Sequence, residues 1–161
     1  MEQLEAALRE MANWGPLRCS SFYRTEPLGD PNQPWYVNAA AELETPESPV
    51  ALLGRLRLLE QLAGRPPDRP RWTPRLLDLD LLLLGDVILN TPELRLPHQG
   101  FHLRRFVLQP LAELAPEVRD PRSGISAREL LRTLDDPLRV EKLFSIQSKS
   151  GSMSPVEVQP S

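Results

Sequence analysis

The sequence predicts an α+β fold, and three observations carry that prediction. Apolar residues recur at helical spacing over residues 2–12 and 48–64. Two strand-like segments, 17–23 and 36–44, lie between these helices, and a leucine-rich strand over 76–82 follows. A ferredoxin-like sandwich has this order of elements with one more strand in front. We therefore predict a ferredoxin-like sandwich with additional C-terminal helices, lacking the first strand in this chain.

Apolar spacing defines the buried faces of the two long helices, and capping residues define the ends of the second. The second begins at Ser48-Pro49, a capping residue before a proline in the first turn, and Gly64 ends it. The buried face of the first helix is predicted to consist of Leu4, Ala7, Leu8 and Met11. The buried stripe of the second is predicted to consist of Leu52, Leu53, Leu56, Leu59, Leu62 and Ala63.

The second strand and the later elements are less regular. Because strand side chains alternate between faces, the strand over 36–44 divides into a core face and an outer face. The core face is predicted to contain Val37, Ala39, Ala41 and Leu43, with Tyr36 and Asn38 opposite. Further elements are a short strand over 87–89, a helix over 107–114 and a helix after Ser126, which forms a capping box with Glu129.

Composition sets the domain boundary and excludes several classes of protein. The 161 residues suit one domain, and a net charge of −3 gives no reason to expect nucleic acid or an acidic membrane surface as a partner. Cys19 is the only cysteine, the N-terminus lacks the apolar core of a signal peptide, and no apolar run is long enough to span a bilayer. We expect a cytoplasmic protein with one domain over 1–144 and a polar, disordered tail over 145–161.

The most informative segment places two aspartates in the leucine-rich strand. Asp78 and Asp80 project from the same side of an extended chain, and arginines lie just upstream. Adjacent carboxylates repel each other and resist burial, so a cation between them is expected. Carboxylates beside arginines suit Mg²⁺ and a polyphosphate. The alternative is a strand edge whose aspartates simply face water.

The same segment resembles a family signature. Residues 71–82 are similar to the Arg-Trp-x-Pro-Arg-x-x-Asp-Leu-Asp-Leu-Leu segment of the 6-hydroxymethyl-7,8-dihydropterin pyrophosphokinase family. The resemblance continues in order over roughly residues 1 to 120, through the segments 20–29, 33–40, 90–91, 96–98 and 104–111. Members of that family begin with a strand ending in a Gly-Ser-Asn turn, whereas this chain starts inside the first helix.

The resemblance implies a pterin site. Tyr36 and Phe106 match the two rings that sandwich the pterin, which gains buried area and stacking from them. Asn38 matches a residue that binds the pterin edge, because an amide donates and accepts hydrogen bonds. Backbone groups from Thr25 to Leu28 complete that recognition, and Trp72 matches a loop tryptophan that closes over the substrates. Taken alone, Phe106 also suits the core and Trp72 also suits a hydrophobic plug.

The resemblance also implies an ATP site. Two Mg²⁺ ions are expected on Asp78 and Asp80, and the phosphate-contacting, catalytic arginines are Arg65 and Arg75. The implied ATP contacts are Glu60, Arg71, Arg75, Arg95, His98 and Arg104. Taken alone, Arg65 suits a cation at a helix C-terminus and His98 a structural histidine. The chain departs from the family at Pro67, Thr73 and Gln99.

The activity that this resemblance implies is pyrophosphoryl transfer from ATP to the pterin, with release of AMP. No residue is assigned as a general base, and no Walker-type Gly-x-x-x-x-Gly-Lys segment is present. The implied partners are ATP and a pterin, with a monomeric protein if the N-terminus is complete. One alternative is a non-catalytic ferredoxin-like module that binds pterin or nucleotide. Another is a sugar-nucleotide transferase, which normally requires a larger nucleotide-binding domain.

The missing opening strand has a predicted consequence. In a sheet of order 4-1-3-2 that strand is central, so two inner edges are left without a ladder partner. We expect such a chain to be unstable, to aggregate, or to recruit another strand into the gap. The preferred explanation at this stage is that the functional protein begins upstream.

Overall fold

The computed structural model describes residues 1–27, 32–64, 77–149 and 152–157 of the chain. Within them, the helices are α1 (Glu2–Met11), α2 (Pro49–Leu62), α3 (Arg105–Leu114) and α4 (Ala127–Thr133), and a 3₁₀ turn spans Phe101–Leu103. The strands are β1 (Leu17–Cys19), β2 (Phe22–Thr25), β3 (Tyr36–Asn38), β4 (Ala41–Leu43), β5 (Leu89–Asn90), β6 (Arg95–Leu96), β7 (Val140–Lys149) and β8 (Ser152–Glu157). None of the described helices is both long and apolar enough to cross a membrane.

The described strands form three small sheets. β1 pairs with β4, β5 pairs with β6, and a four-stranded sheet has the order β3-β2-β7-β8. Each pairing in the four-stranded sheet is antiparallel, with Thr25 opposite Tyr36 and Tyr23 opposite Asn38. Together with the helices, these sheets give the predicted α+β class.

The chain divides into two compact units. The first consists of residues 1–17 and 43–99, and its core contains Ala7 of α1, Leu59 of α2 and Leu77. The side chains packed against that core are Leu4, Met11, Trp14, Ala63 and Leu79. The apolar faces of α1 and α2 therefore meet at the extended segment that begins at residue 77.

The second unit consists of residues 18–42 and 100–161. Its most completely buried large side chains are Phe22 of β2 and Leu108 of α3, with Phe101 and Ala127 also buried. The ring of Phe22 meets the ring of Phe144 of β7 edge to face, with centroids 5.0 Å apart. This unit contains the four-stranded sheet and the two helices that follow it, α3 and α4.

The four helix predictions are confirmed. α2 begins after Ser48, whose hydroxyl accepts the N–H of Ala51 at 3.3 Å, and α4 begins after Ser126 with the predicted capping box to Glu129. The buried residues of α2 are Leu52, Leu56, Leu59 and Glu60. The prediction that Leu62 is buried is wrong, because that side chain is 75% exposed at the last turn of the helix.

The two long strands predicted over 17–23 and 36–44 are each broken in the middle. The break lies at Ser20-Ser21 in the first and at Ala39-Ala40 in the second. The N–H of Ser21 bonds to the carboxylate of Glu113 at 3.0 Å instead of joining a ladder. The break also changes which residue points inward, since Ala40 is buried and Ala41 is exposed, the reverse of the prediction.

Three further features differ from the sequence prediction. The leucine-rich strand predicted over 76–82 is not found, since residues 77–84 belong to no ladder among the described strands, although the carbonyl of Leu82 accepts the N–H of His98. The strand predicted over 87–89 instead lies at Leu89–Asn90. The strands β7 and β8, which the sequence did not predict, form through pairing that polar composition does not reveal.

Candidate active site

The two aspartates lie on a segment that the core of the first unit holds on one side. Leu77 is buried in that core and Leu79 packs against it, while the alternate residues Asp78 and Asp80 are exposed. In extended chain, alternate side chains point to opposite sides. The burial pattern therefore places both carboxylates on the same, exposed side; the sequence predicted the shared side.

Glu60 reaches the same segment from α2. Its side chain is 5% exposed, and Oε1 accepts the N–H of Leu79 at 2.9 Å. Leu79 is the residue between the two aspartates, so this hydrogen bond holds the backbone at the centre of the pair. Glu60 thus contacts the backbone of the segment that bears the two carboxylates.

His98 lies beside Asp80. Its Nε2 is 3.6 Å from Oδ1 of Asp80, and its backbone N–H donates to the carbonyl of Leu82 at 2.8 Å. This backbone bond fixes His98, two residues after β6, to the segment that bears the aspartates. The histidine and the second aspartate are consequently held as neighbours.

The donor set here suits Mg²⁺ with a phosphate ligand. Among the described residues there is no group of three or more His, Cys, Asp and Glu side chains that would hold a metal by themselves. Mg²⁺ typically binds through one or two carboxylates and completes its shell with water and substrate phosphates. Two exposed aspartates match that mode, whereas a structural zinc site requires a complete protein cage.

Arg95 of β6 belongs to the same unit. It is exposed, and its Nη1 donates to Oε1 of Gln99 at 2.7 Å. Gln99 is one of the departures from the family pattern, and here it contacts an arginine implied in ATP binding. The guanidinium has further N–H groups that suit phosphate oxygens.

In the second unit, the residues predicted to bind the pterin share one face of the β2–β3 pair. Thr25 lies opposite Tyr36, and Nδ2 of Asn38 donates to Oγ1 of Thr25 at 2.8 Å. Thr25 is buried, whereas the ring of Tyr36 is 58% exposed. The hydrogen bond orients the amide of Asn38 beside an exposed aromatic ring.

Phe106 and Arg104 lie at the start of α3 in that unit. Phe106 is half-buried, so its ring is partly available to a ligand, and the Arg104 guanidinium lies 5.8 Å from the ring centroid. Arg104 is exposed. An aromatic ring with a cation above it is therefore presented at the N-terminus of this helix.

Comparison with known proteins decides the family. The family model for 7,8-dihydro-6-hydroxymethylpterin-pyrophosphokinase (HPPK) matches residues 1–116. The chain belongs to the HPPK family. It is 43% identical over 139 residues to the 2-amino-4-hydroxy-6-hydroxymethyldihydropteridine pyrophosphokinase of Haemophilus influenzae, covering 84% of this chain and 86% of the relative. It is 44% identical over 133 residues to the pyrophosphokinase of the same name from Pseudomonas aeruginosa, covering 81% of each.

Several residues that the HPPK resemblance implies lie outside the described residues. These are Leu28, Arg65, Arg71, Trp72 and Arg75. Their assignments to the pterin, to ATP and to catalysis therefore stay predictions. The predicted site residues that the structure describes are Thr25, Tyr36, Asn38, Glu60, Asp78, Asp80, Arg95, His98, Arg104 and Phe106.

Sequence reasoning missed Glu113, which joins three elements of the second unit of this HPPK chain. Its Oε1 accepts the N–H of Ser21 at 3.0 Å and the hydroxyl of Ser21 at 2.6 Å, and its Oε2 accepts the hydroxyl of Tyr23. Lys142 of β7 places Nζ 3.5 Å from Oε2. A carboxylate within an apolar helix was the one available signal, but its partners lie far away in sequence.

This arrangement shifts three pKa values. Partial burial opposes ionisation of Glu113, but the hydrogen bonds from Ser21 and Tyr23 and the charge of Lys142 outweigh it and lower the pKa of its carboxyl. Burial, followed by the bond to Glu113, raises the pKa of Tyr23. Burial and the Glu113 charge also raise the pKa of Cys19 to about 12, so that thiol stays protonated.

Proposed function

We propose that this chain transfers pyrophosphate from ATP to 6-hydroxymethyl-7,8-dihydropterin in folate biosynthesis, giving the pterin diphosphate and AMP. The observation that carries the proposal is the exposed Asp78–Asp80 pair with His98 beside it, in a chain that belongs to the HPPK family. The named relatives are pyrophosphokinases, and they match over more than four fifths of this chain.

The reaction is a displacement at phosphorus. The hydroxymethyl oxygen of the pterin attacks the β-phosphorus of ATP, the bond from that phosphorus to the α-phosphate bridging oxygen breaks, and AMP leaves. Such transfers depend chiefly on positioning and charge neutralisation, so a strong protein base is not essential. The hydroxyl proton passes to solvent.

Asp78 and Asp80 are proposed to hold Mg²⁺ on the ATP phosphates, and two ions are expected. Bound Mg²⁺ neutralises phosphate charge and polarises the attacked phosphorus. His98 is proposed to contact the phosphates, and its position beside Asp80 supports that role. Arg95 and Arg104 are exposed cations proposed to contact the nucleotide, together with Arg65, Arg71 and Arg75.

The pterin is proposed to stack between Tyr36 and Phe106. The hydrogen bond to Thr25 uses one amide hydrogen of Asn38, and an amide has a second N–H and a carbonyl oxygen for the pterin edge. Backbone groups from Thr25 to Leu28 and the ring of Trp72 complete this proposed site. The exposure of Tyr36 supports the stacking role, since a core tyrosine would be buried.

We also propose a ferredoxin-like arrangement, a monomeric state and a cytoplasmic location. The order of α1, the β1–β4 strands and α2 supports the first. The single, protonated cysteine is compatible with a reducing compartment. Sedimentation of the purified chain checks the monomeric state.

The deciding experiment incubates residues 1–161 with ATP, MgCl₂ and the hydroxymethyl-dihydropterin, then separates the products by ion-exchange chromatography. AMP and pterin diphosphate in equal amounts are expected, with no product when EDTA is added. ADP formation would show single phosphoryl transfer and contradict the proposal. Tight binding of both substrates without AMP would identify a non-catalytic module instead.

A further inference from the structure

The buried carboxylate of Glu60 has a partner that a nucleotide contact would not require. It is 5% exposed, yet it lies in α2 with Oε1 2.9 Å from the backbone nitrogen of Leu79. A buried carboxylate is costly unless hydrogen bonds compensate it, and bonds from N–H groups to an ionised acceptor are among the stronger ones. Its position therefore requires a structural or functional explanation.

We propose that Glu60 is a positioning residue for the aspartate pair, acting through the Leu79 amide rather than through contact with ATP. This inference rests on the proposed function, because it assigns Glu60 to the metal and nucleotide part of that site. The role differs from the one that the family resemblance implies for this residue.

The need for such a group follows from the local backbone. Residues 77–84 belong to none of the described strands, and the backbone bond from the His98 N–H to the Leu82 carbonyl holds the segment two residues beyond Asp80 rather than at the aspartates. Leu77 and Leu79 hold it by apolar packing, which resists sliding less sharply than a directional hydrogen bond. The bond from Leu79 to Glu60 supplies a directional hydrogen bond between the two aspartates themselves.

The geometry places that bond where it controls both aspartates. Leu79 lies between Asp78 and Asp80, so fixing its peptide plane fixes the directions in which the two neighbouring side chains leave the backbone. Mg²⁺ requires near-ideal octahedral geometry, and a small rotation of the segment would separate or misdirect its two carboxylates. Because Glu60 is 5% exposed, little of its carboxylate surface is left for contact with a nucleotide.

The test uses two substitutions with opposite expectations. Glu60→Gln keeps an oxygen acceptor at the same distance from the backbone but removes the charge, whereas Glu60→Asp keeps the charge and shortens the reach by one methylene. A positioning role predicts that Glu60→Gln is impaired less than Glu60→Asp, because the amide oxygen still reaches the Leu79 N–H whereas the shorter side chain does not. An ATP-contact role through charge predicts the reverse.

Two measurements are made on each variant. Hydrogen exchange of the Leu79 amide, followed by NMR of chain labelled with ¹⁵N-leucine, is expected to speed up about tenfold in Glu60→Asp, in line with loss of one hydrogen bond, and by less in Glu60→Gln, where a neutral acceptor remains. The Mg²⁺ concentration for half-maximal AMP formation is expected to rise about tenfold in Glu60→Asp and by less in Glu60→Gln, with pterin affinity unchanged in both.

Leu56→Ala is the matched control, because it truncates another buried residue of α2 and does not alter the Leu79 bond. It is expected to lower thermal stability without changing the Mg²⁺ midpoint. An equal rise of the midpoint in Leu56→Ala would overturn the proposal, as would weakened ATP binding in Glu60→Gln with Leu79 exchange unchanged. Wild-type chain that forms no AMP would instead defeat the proposed function, and the Leu79 exchange data would still decide whether Glu60 holds the segment.

Discussion

At the scale of single residues, the surroundings of each carboxylate decide what it does. Asp78 and Asp80 are exposed on the solvent side of an extended segment, which suits a cation and its phosphate ligands. Glu60 is buried and accepts a backbone N–H, while Glu113 accepts three hydrogen bonds inside the second unit. The same functional group therefore lies in three different environments in one chain.

The first prediction concerns the aspartate pair. Asp78→Asn and Asp80→Asn should each lower the rate of AMP formation by at least about 100-fold, because losing a charged ligand removes several kcal/mol of transition-state stabilisation. Both residues are exposed, so thermal stability should change little. Asp86→Asn, another exposed aspartate in the same unit, is the control and should retain full activity. Near wild-type rates in either test variant would rule out the metal role.

The second prediction concerns the two aromatic rings. Phe106→Ala and Tyr36→Ala should each weaken pterin binding by about 1–3 kcal/mol, through lost burial and stacking, and leave ATP binding unchanged. Calorimetry with each ligand separately measures this difference. Val37→Ala is the control, because Val37 lies between Tyr36 and Asn38 on β3 and its side chain points to the opposite face. Weaker ATP binding with unchanged pterin binding would reverse the assignment.

At the scale of elements, close backbone contacts hold the β1–β4 region together. The hydroxyl of Ser20 accepts the N–H of Ala40 at 2.9 Å, and the Ser20 N–H donates to the Ala40 carbonyl at 2.9 Å. A serine side chain thus replaces the ladder bond lost where the strands break. Nearby, the backbone of Gly15 packs so closely on Glu44 that an added Cβ would lie 2.1 Å from its carbonyl oxygen.

The third prediction compares two glycines. Gly15→Ala should destabilise the protein by about 1–3 kcal/mol, because the backbone at Glu44 must move to accept the methyl group. Gly54→Ala should stabilise it by about 0.5–1 kcal/mol, because Gly54 lies inside α2 with nothing within 4 Å of the added carbon. Urea unfolding measures both changes. A stabilising Gly15→Ala would contradict the close contact.

The fourth prediction concerns the pH dependence of the Glu113 contacts. The pKa of Glu113 is lower in the folded chain than its ordinary value, so its ionised form stabilises the fold above the unfolded-state pKa. This stabilisation is lost as the pH falls through the lower, folded-state pKa. Glu113→Gln should therefore cost about 1–3 kcal/mol at pH 7, through weakened hydrogen bonds to Ser21 and Tyr23, and progressively less below the ordinary glutamate pKa.

Denaturant titrations from pH 7 to pH 3 on wild type and Glu113→Gln check this dependence. Glu93→Gln is the control, since it makes the same substitution at an exposed side chain outside the Glu113 contacts. A difference between Glu113→Gln and wild type that stays constant over this range would show that the charge of Glu113 is not responsible.

At the scale of the whole molecule, the C-terminal strand β7 completes the sheet of the second unit. It pairs with β2 on the side opposite β3, and its Phe144 packs against the fully buried Phe22. Lys142 adds its charge to the Glu113 contacts. Among the described strands β3 has β2 alone as a ladder partner, so β7 extends the sheet without occupying the position predicted for a missing first strand.

The fifth prediction tests that role by truncation. A chain of residues 1–138 lacks β7 and should unfold at a much lower temperature or lose cooperative melting, because Phe22 and the edge of β2 become exposed. A chain of residues 1–149 keeps β7 and should melt within a few degrees of the full chain. Calorimetry compares the three proteins. Equal melting of the 1–138 and full-length chains would show that β7 contributes nothing to stability.

The sequence by itself determined the features that depend on residues close together along the chain. Helical periodicity and capping residues located α1 to α4, and the alternation around Asp78 and Asp80 predicted that the two carboxylates share one side, where both are exposed. Signals of this kind lie within a few residues of one another. They can therefore be read from the chain without knowing which distant segments will meet.

Only the tertiary structure decided the features that depend on contacts between distant segments. The strand breaks follow from Ser21 bonding to Glu113 and Ser20 bonding to Ala40. The pairing of β7 with β2 and the bond from Leu79 to Glu60 likewise join segments that local patterns treat separately. A polar strand or a carboxylate in a helix has no local preference for one distant partner. The free energy that selects the partner exists only once the chain has folded.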